Sequence, residues 1–174
     1  SAKYIIRLIF EFYNMGVEKT FHFELADAID VGGQEYGLIQ NRTGAVMIPR
    51  PSYYSMQRTI ALFDDPGVIT ATPLPYALTG NLSDVHHKMF RKVDGTYLLA
   101  IWHDAETWNR LTPPGPGAST IPEPQVKIAL NAPAALVREH MPVSTAAVTT
   151  IGTSIQEFTV GIPDEIAVYE ITLA

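Results

Sequence analysis

Residues 20–25 read Thr20-Phe21-His22-Phe23-Glu24-Leu25. Phe21, Phe23 and Leu25 alternate with Thr20, His22 and Glu24, the period of a strand with one apolar and one polar face. Upstream, Lys3, Arg7, Glu11 and Asn14 recur at helical spacing and form one narrow polar stripe. Tyr4, Ile5, Ile6, Leu8, Ile9, Phe10, Phe12 and Tyr13 fill the remaining arc, which predicts a helix over 2–14 buried on more than one side. Gly16 supplies its stop. Downstream, residues 26–50 read as a loop longer than most connections, the kind that often carries function. Pro51 opens a second helix that runs to about Phe63, where Asp64-Asp65-Pro66-Gly67 ends it. Helix, strand, loop, helix is the order of a βα unit. One strand makes no sheet, so it must join later strands or pair outside the chain.

Beyond position 65 the spacing changes. Residues 85–92 and 96–103 flank Val93-Asp94-Gly95, a strong hairpin signal. Further strands are expected at 126–130, 135–139, 155–160 and 166–173, and a weaker one at 71–78, where Pro73 and Pro75 interfere. Short strands with regular turns suggest an antiparallel β-sandwich. The Pro- and Gly-rich stretch 112–124 reads as a loop within it. The expected fold class is therefore α+β, with residues 1–66 as a helix-strand-helix part and 67–174 as the sandwich.

Composition narrows the function. The 174 residues are 47% hydrophobic and 17% charged, which suits a globular chain and excludes a disordered one. The net charge of −6 argues against nucleic acid as a partner, since phosphate binding needs clustered Lys and Arg. The absence of cysteine excludes disulfides and thiolate metal sites. No apolar run reaches the roughly 18 residues of a membrane span, so no membrane partner is expected. The chain begins at Ser1 with no secretory-signal pattern and enters a helix at once, which suggests a piece of a longer polypeptide.

The order of these stretches resembles the end of a (β/α)8-barrel glycoside hydrolase with a retaining mechanism, of the clan A type. Ala2-Lys3-Tyr4-Ile5-Ile6-Arg7-Leu8, Gly16-Val17 and Phe21-His22-Phe23-Glu24-Leu25-Ala26-Asp27 are similar to the seventh helix, eighth strand and following loop of such barrels. Tyr36-Gly37-Leu38-Ile39 and Arg50-Pro51-Ser52-Tyr53-Tyr54-Ser55-Met56 resemble the run into the eighth helix. Phe90-Arg91-Lys92 and Asp94-Gly95-Thr96-Tyr97-Leu98-Leu99-Ala100-Ile101-Trp102 resemble the β-sandwich that follows. The resemblance implies a secreted, extracellular enzyme acting on β-linked poly- or oligosaccharide. It also implies that both catalytic glutamates, at the ends of the fourth and seventh strands, would precede Ser1. Retention needs two carboxyl groups about 5 Å apart. No residue here matches either, so no catalytic residue is assigned, the isolated chain is expected to be inactive, and its partner would be the rest of the barrel N-terminal to Ser1.

Within that frame Glu24, His22 and Asp27 are the candidate substrate-binding residues, because the polar end of a barrel strand reaches the cleft and carboxylates bind sugar hydroxyls. The competing reading makes Glu24 a structural carboxylate. A pairing of Glu24 with Asp27 or Asp30 as a small catalytic site is a weaker possibility. No metal site is expected: adjacent strand residues such as His86 and His87 point to opposite faces and cannot share an ion. No cofactor motif occurs. Trp102, Trp108, Tyr97 and Tyr76 read as core aromatics, although as an exposed platform they would make the alternative, a self-contained carbohydrate-binding or structural module.

Overall fold

Helices open the chain and strands complete it, as a computed structural model that describes residues 2–27, 36–41, 47–67, 72–104 and 122–174. Among the described residues the fold is α+β, with two helices and a mostly antiparallel, curled sheet. It divides into two units: Ser1–Asp64 with Pro142–Ala146, and Asp65–Met141 with Ala147–Ala174.

In the first unit α1 spans Ala2–Asn14. It ends as its glycine dictates. Gly16 takes φ +86°, its N–H donates to Tyr13, and the Val17 N–H reaches back to the Phe12 carbonyl. These two bonds satisfy carbonyls that a helix end otherwise strands. The buried residues of α1 are Ile6, Arg7 and Phe10. The wide apolar arc is thus covered on one side only, and Tyr4, Leu8 and Tyr13 remain exposed. Arg7, expected on the polar stripe, is buried, with its guanidinium 5.6 Å from the Tyr4 ring centroid. Stacking on an aromatic face lets this weakly hydrated cation leave water.

The second helix, α2, spans Pro51–Phe63, with proline in its first turn where no N–H is needed. Phe63 meets Phe10 edge-on at 5.2 Å. Ser55 and Thr59, one turn apart, are buried. The Ser55 hydroxyl is 2.9 Å from the Pro51 carbonyl and 3.0 Å from that of Val143, and Thr59 donates to Ser55 at 2.8 Å. Arg58 donates through Nε to Pro142 O at 2.7 Å and through a terminal nitrogen to Val143 O at 2.8 Å. Segment 142–146, distant in sequence, is thereby fastened to α2.

Residues 20–25 do not form the expected strand. Alternation assigns two faces, but a strand also needs a backbone ladder, and here that ladder is one parallel bridge, Ala26 with Ile39. The strands of this unit lie instead inside the expected loop: β1 (Ile39–Asn41) and β2 (Met47–Pro49) pair antiparallel.

The second unit carries β3 (Tyr76–Gly80), β4 (Val85–Arg91), β5 (Tyr97–His103), β6 (Gln125–His140), β7 (Val148–Gly161) and β8 (Ala167–Leu173). Their order is β3-β6-β8-β5-β4, with β7 on the other side of β6. The β4–β5 hairpin turns as its sequence predicts: Gly95 takes φ +89°, the Lys92 N–H bonds to Thr96 O, and the Thr96 N–H to the Asp94 carboxylate. Both faces of β5 are buried.

The two strands expected at 126–130 and 135–139 are one. Proline 133 falls inside a register shift between Ala129 and Ala134, where no ladder N–H is required. The first half of β6 pairs with β3 and the second half with β8, while β7 follows its opposite edge. The sheet curls through this long strand. Phe158 on β7 meets Tyr169 on β8 at 5.4 Å, although the two strands are not paired. The core inside the curl holds Leu99, Ile101, Val126, Ile128, Val137, Phe158, Tyr169 and Ile171. β7 begins seven residues before the expected position. Its early part, Val148-Thr149-Thr150, has no apolar alternation and is held at the sheet edge by backbone pairing with β6.

Candidate functional site

Asp27 is the most constrained of the three residues expected to contact substrate. Its side chain is only 5% exposed. Oδ1 accepts the Gly37 N–H at 2.7 Å and Oδ2 accepts Arg50 at 2.5 Å. The Asp27 N–H in turn donates to Ile39 O. The carboxylate therefore ties the chain after residue 25 to both the start of β1 and the residue preceding α2. Its charge is balanced by a guanidinium, and its two oxygens are both engaged.

Gly37 is part of this arrangement. A Cβ at this position would lie 2.5 Å from the Asp27 nitrogen and 2.7 Å from Oδ1, so only glycine permits the approach. The sequence marked Arg50 and Gly37 only as part of the run into a helix, with no site role. The pairing of Asp27 with residues 10 and 23 positions away is a product of tertiary folding, and a glycine beside Tyr36 carries no sign of the oxygen it will admit.

His22 and Glu24 sit differently. His22 is exposed, with Nε2 3.2 Å from the Tyr36 carbonyl. Glu24 is half-buried, and its backbone carbonyl accepts the Leu38 N–H at 3.2 Å. The peptide between Phe23 and Glu24 is cis. Opposite in parity, Phe21, Phe23 and Leu25 are 87%, 75% and 63% exposed. Asp30 lies outside the described residues.

Beside this segment is a groove of about 470 Å³. One side is Leu25 and Leu38; the other is the face of α2 that carries Tyr53, Met56, Ile60 and Ala61. Gln57 and Asp64 are its polar members. The spacing of three and four residues makes one helical stripe, distinct from the Ser55–Thr59 stripe that is buried. Such a surface can take up apolar groups and orient them with few hydrogen bonds. It brings Leu25 and the α2 stripe together, whereas Asp27 is committed elsewhere.

In the second unit the aromatic residues follow the core reading. Trp102 is fully buried and stacked on His86 at 5.6 Å, and Tyr97 is buried. They offer no exposed platform for a sugar ring. Tyr76 is half-buried and bonded to His87. Trp108 lies outside the described residues. Tyr169 is buried in the core, its hydroxyl donating to Glu139 at 2.9 Å. Burial, followed by the Glu139 charge, pushes the phenol far above its ordinary range, so it serves as a neutral donor. On the other face of the same strands Glu170 forms an ion pair with Arg138 at 2.8 Å and a hydrogen bond with His140 at 2.7 Å.

Compared with known proteins, the chain matches no family model and no curated sequence.

Proposed function

We propose that this chain forms the last helix-strand-helix portion of a (β/α)8-barrel glycoside hydrolase together with its accessory β-sandwich. The parent enzyme would cleave β-linked poly- or oligosaccharide outside the cell by a retaining mechanism. The chain supplies part of the cleft wall through Glu24 and His22, with Asp27 holding the wall in shape, and it contributes neither catalytic glutamate. The observation that carries this reading is the row Phe21, Phe23 and Leu25, exposed beside an apolar groove and next to a helix whose apolar arc is only half covered. Alternate apolar side chains left exposed suit a segment that acquires neighbours, and contiguous exposed apolar surface suits burial by further structure. Both are what the interior strand and outer helix of a barrel require.

The test is a comparison of hydrolysis by this chain alone with hydrolysis by the polypeptide that includes the reading frame upstream of Ser1. The expected result is no turnover of β-linked glucans, xylans or aryl β-glycosides by the chain alone and turnover with retained anomeric configuration by the longer polypeptide. Hydrolysis by the chain alone, or an upstream frame with no alternation of strands and helices, would overturn the proposal.

A further inference from the structure

Tyr36 is an aromatic ring in the first unit that nothing described so far employs. It is 59% exposed, and among the described residues no second ring and no cation is set against it. By contrast, Tyr4 lies beneath Lys3 and Arg7, at 5.1 and 5.6 Å from its centroid, and Tyr54 meets Tyr53 edge-on at 5.5 Å. We infer that Tyr36 is a sugar-stacking residue: its ring carries the apolar face of one pyranose unit of a neutral β-linked chain, while His22 binds a hydroxyl of the same unit. This rests on the glycan-cleft reading given above and adds to it a residue and a class of sugar.

The backbone around Tyr36 is fixed before any ligand arrives. Its carbonyl is 3.2 Å from His22 Nε2, the Gly37 N–H donates to Asp27 Oδ1 at 2.7 Å, and the Leu38 N–H donates to the Glu24 carbonyl at 3.2 Å. A tyrosine on such a backbone has only its two side-chain torsions left to lose, so setting its ring against a ligand costs little entropy. The same bonds define what His22 can offer. A carbonyl oxygen only accepts, so the bond to Tyr36 requires the hydrogen on Nε2. In the neutral imidazole Nδ1 is then an acceptor, which is the partner a sugar hydroxyl needs as donor. One hydrogen bond thus ties an exposed aromatic ring to an exposed histidine of defined polarity.

The chemistry of these two groups selects the ligand. A β-linked gluco- or xylopyranose carries its hydroxyls around the ring edge and leaves weakly positive C–H bonds on its two faces. The face of an aromatic ring is negative and attracts such bonds, while the hydroxyls at the edge stay free for hydrogen bonding. An apolar surface with a few placed polar groups is the usual make-up of a small-ligand site. A phenol and a neutral imidazole supply no counter-charge, so an uncharged sugar suits the pair better than a uronate, which needs a cation such as arginine. Arg50, the cation of this segment, is committed to Asp27.

The experiment is an NMR titration of the full chain with cellohexaose and with xylohexaose at millimolar concentrations, following the ring protons of Tyr36 and His22. Saturable shifts at both rings are expected with at least one of the two sugars. Tyr36→Ala and Tyr36→Leu should weaken binding roughly ten-fold, the scale of a lost aromatic contact. Tyr36→Phe keeps the ring and should bind nearly as wild type does. Unchanged Gly37 and Leu38 amide shifts in the unliganded variants verify that the backbone is intact. No saturable shift at Tyr36 with either sugar would overturn the inference. So would wild-type affinity in Tyr36→Ala or Tyr36→Leu. Hydrolysis of either sugar by the chain alone refutes the reading of an inactive portion of a larger enzyme, but it leaves the Tyr36 shifts and their loss in the variants as they are, so the two failures are told apart.

Discussion

Removal of the Asp27 carboxylate offers the sharpest test of how the first unit is held. In Asp27→Ala, Gly37 loses the acceptor of its buried N–H, and Arg50 loses the carboxylate it donates to. An unsatisfied buried N–H costs about 1–3 kcal/mol. Breaking a fully buried ion pair costs about 3–5 kcal/mol, chiefly through the charge left behind. Arg50 is 23% exposed and can turn part of its guanidinium to water, so the upper figure does not apply in full. The two effects share one side chain and are not additive. Together they give a loss of roughly 2–4 kcal/mol in the stability of this unit. Asp27→Asn keeps one oxygen for the Gly37 N–H but turns an NH2 donor toward the Arg50 donor, so it spares the Gly37 bond while removing both the charge and the acceptor that Arg50 uses. Native-state hydrogen exchange at the Gly37, Leu38 and Ile39 amides reads the loss directly, with the β5 amides as an internal reference from the second unit. The reasoning fails if Asp27→Ala leaves those amides within about 0.5 kcal/mol of wild type, the usual scatter for a surface substitution.

Other consequences of the structure can be checked the same way. Gly37→Ala should destabilise by about 1–3 kcal/mol, because its methyl group would press on the Asp27 backbone, and urea unfolding should show it. Arg58→Ala strips Pro142 O and Val143 O of charged donors, with an expected cost of about 2–3 kcal/mol; protease cleavage within 142–146 should become faster. Tyr169→Phe should cost about 1–2 kcal/mol for the lost bond to a carboxylate that is then poorly paired. In the wild-type chain, a spectrophotometric titration should leave Tyr169 neutral at alkaline pH after exposed tyrosines have ionised near pH 10, until the chain unfolds.

The second unit was largely legible from sequence because its signals are local. Val93-Asp94-Gly95 demands a turn, and Tyr97 to His103 has nowhere to go but the interior. What escaped was pairing. Pro133 looked like a break between strands, yet a proline inside a bulge forfeits no ladder bond, so β6 runs through it. The Thr-rich start of β7 has little apolar pattern because it lies at an edge and is held by its backbone. In the first unit the alternation at 20–25 predicted a strand that does not form, and Phe21, Phe23 and Leu25 are exposed as His22 is. It could not show that no ladder would form, since partners are not encoded in the segment itself. Asp27 was singled out by charge and position, but its commitment to Gly37 and Arg50 depends on residues that only folding brings near.

The position of β8 has a consequence for the order of events during synthesis. It lies between β6 and β5 in the sheet, although every other strand of the sheet is made before it. Until residues 167–173 leave the ribosome, β4–β5 and β6–β7 exist as two hairpins with no ladder between them, each with an open apolar edge. Folding of this unit is therefore governed by late, long-range strand insertion, a slow step in which the nascent hairpins can pair wrongly or with other chains. A pause in translation just short of position 167 would prolong that exposed state.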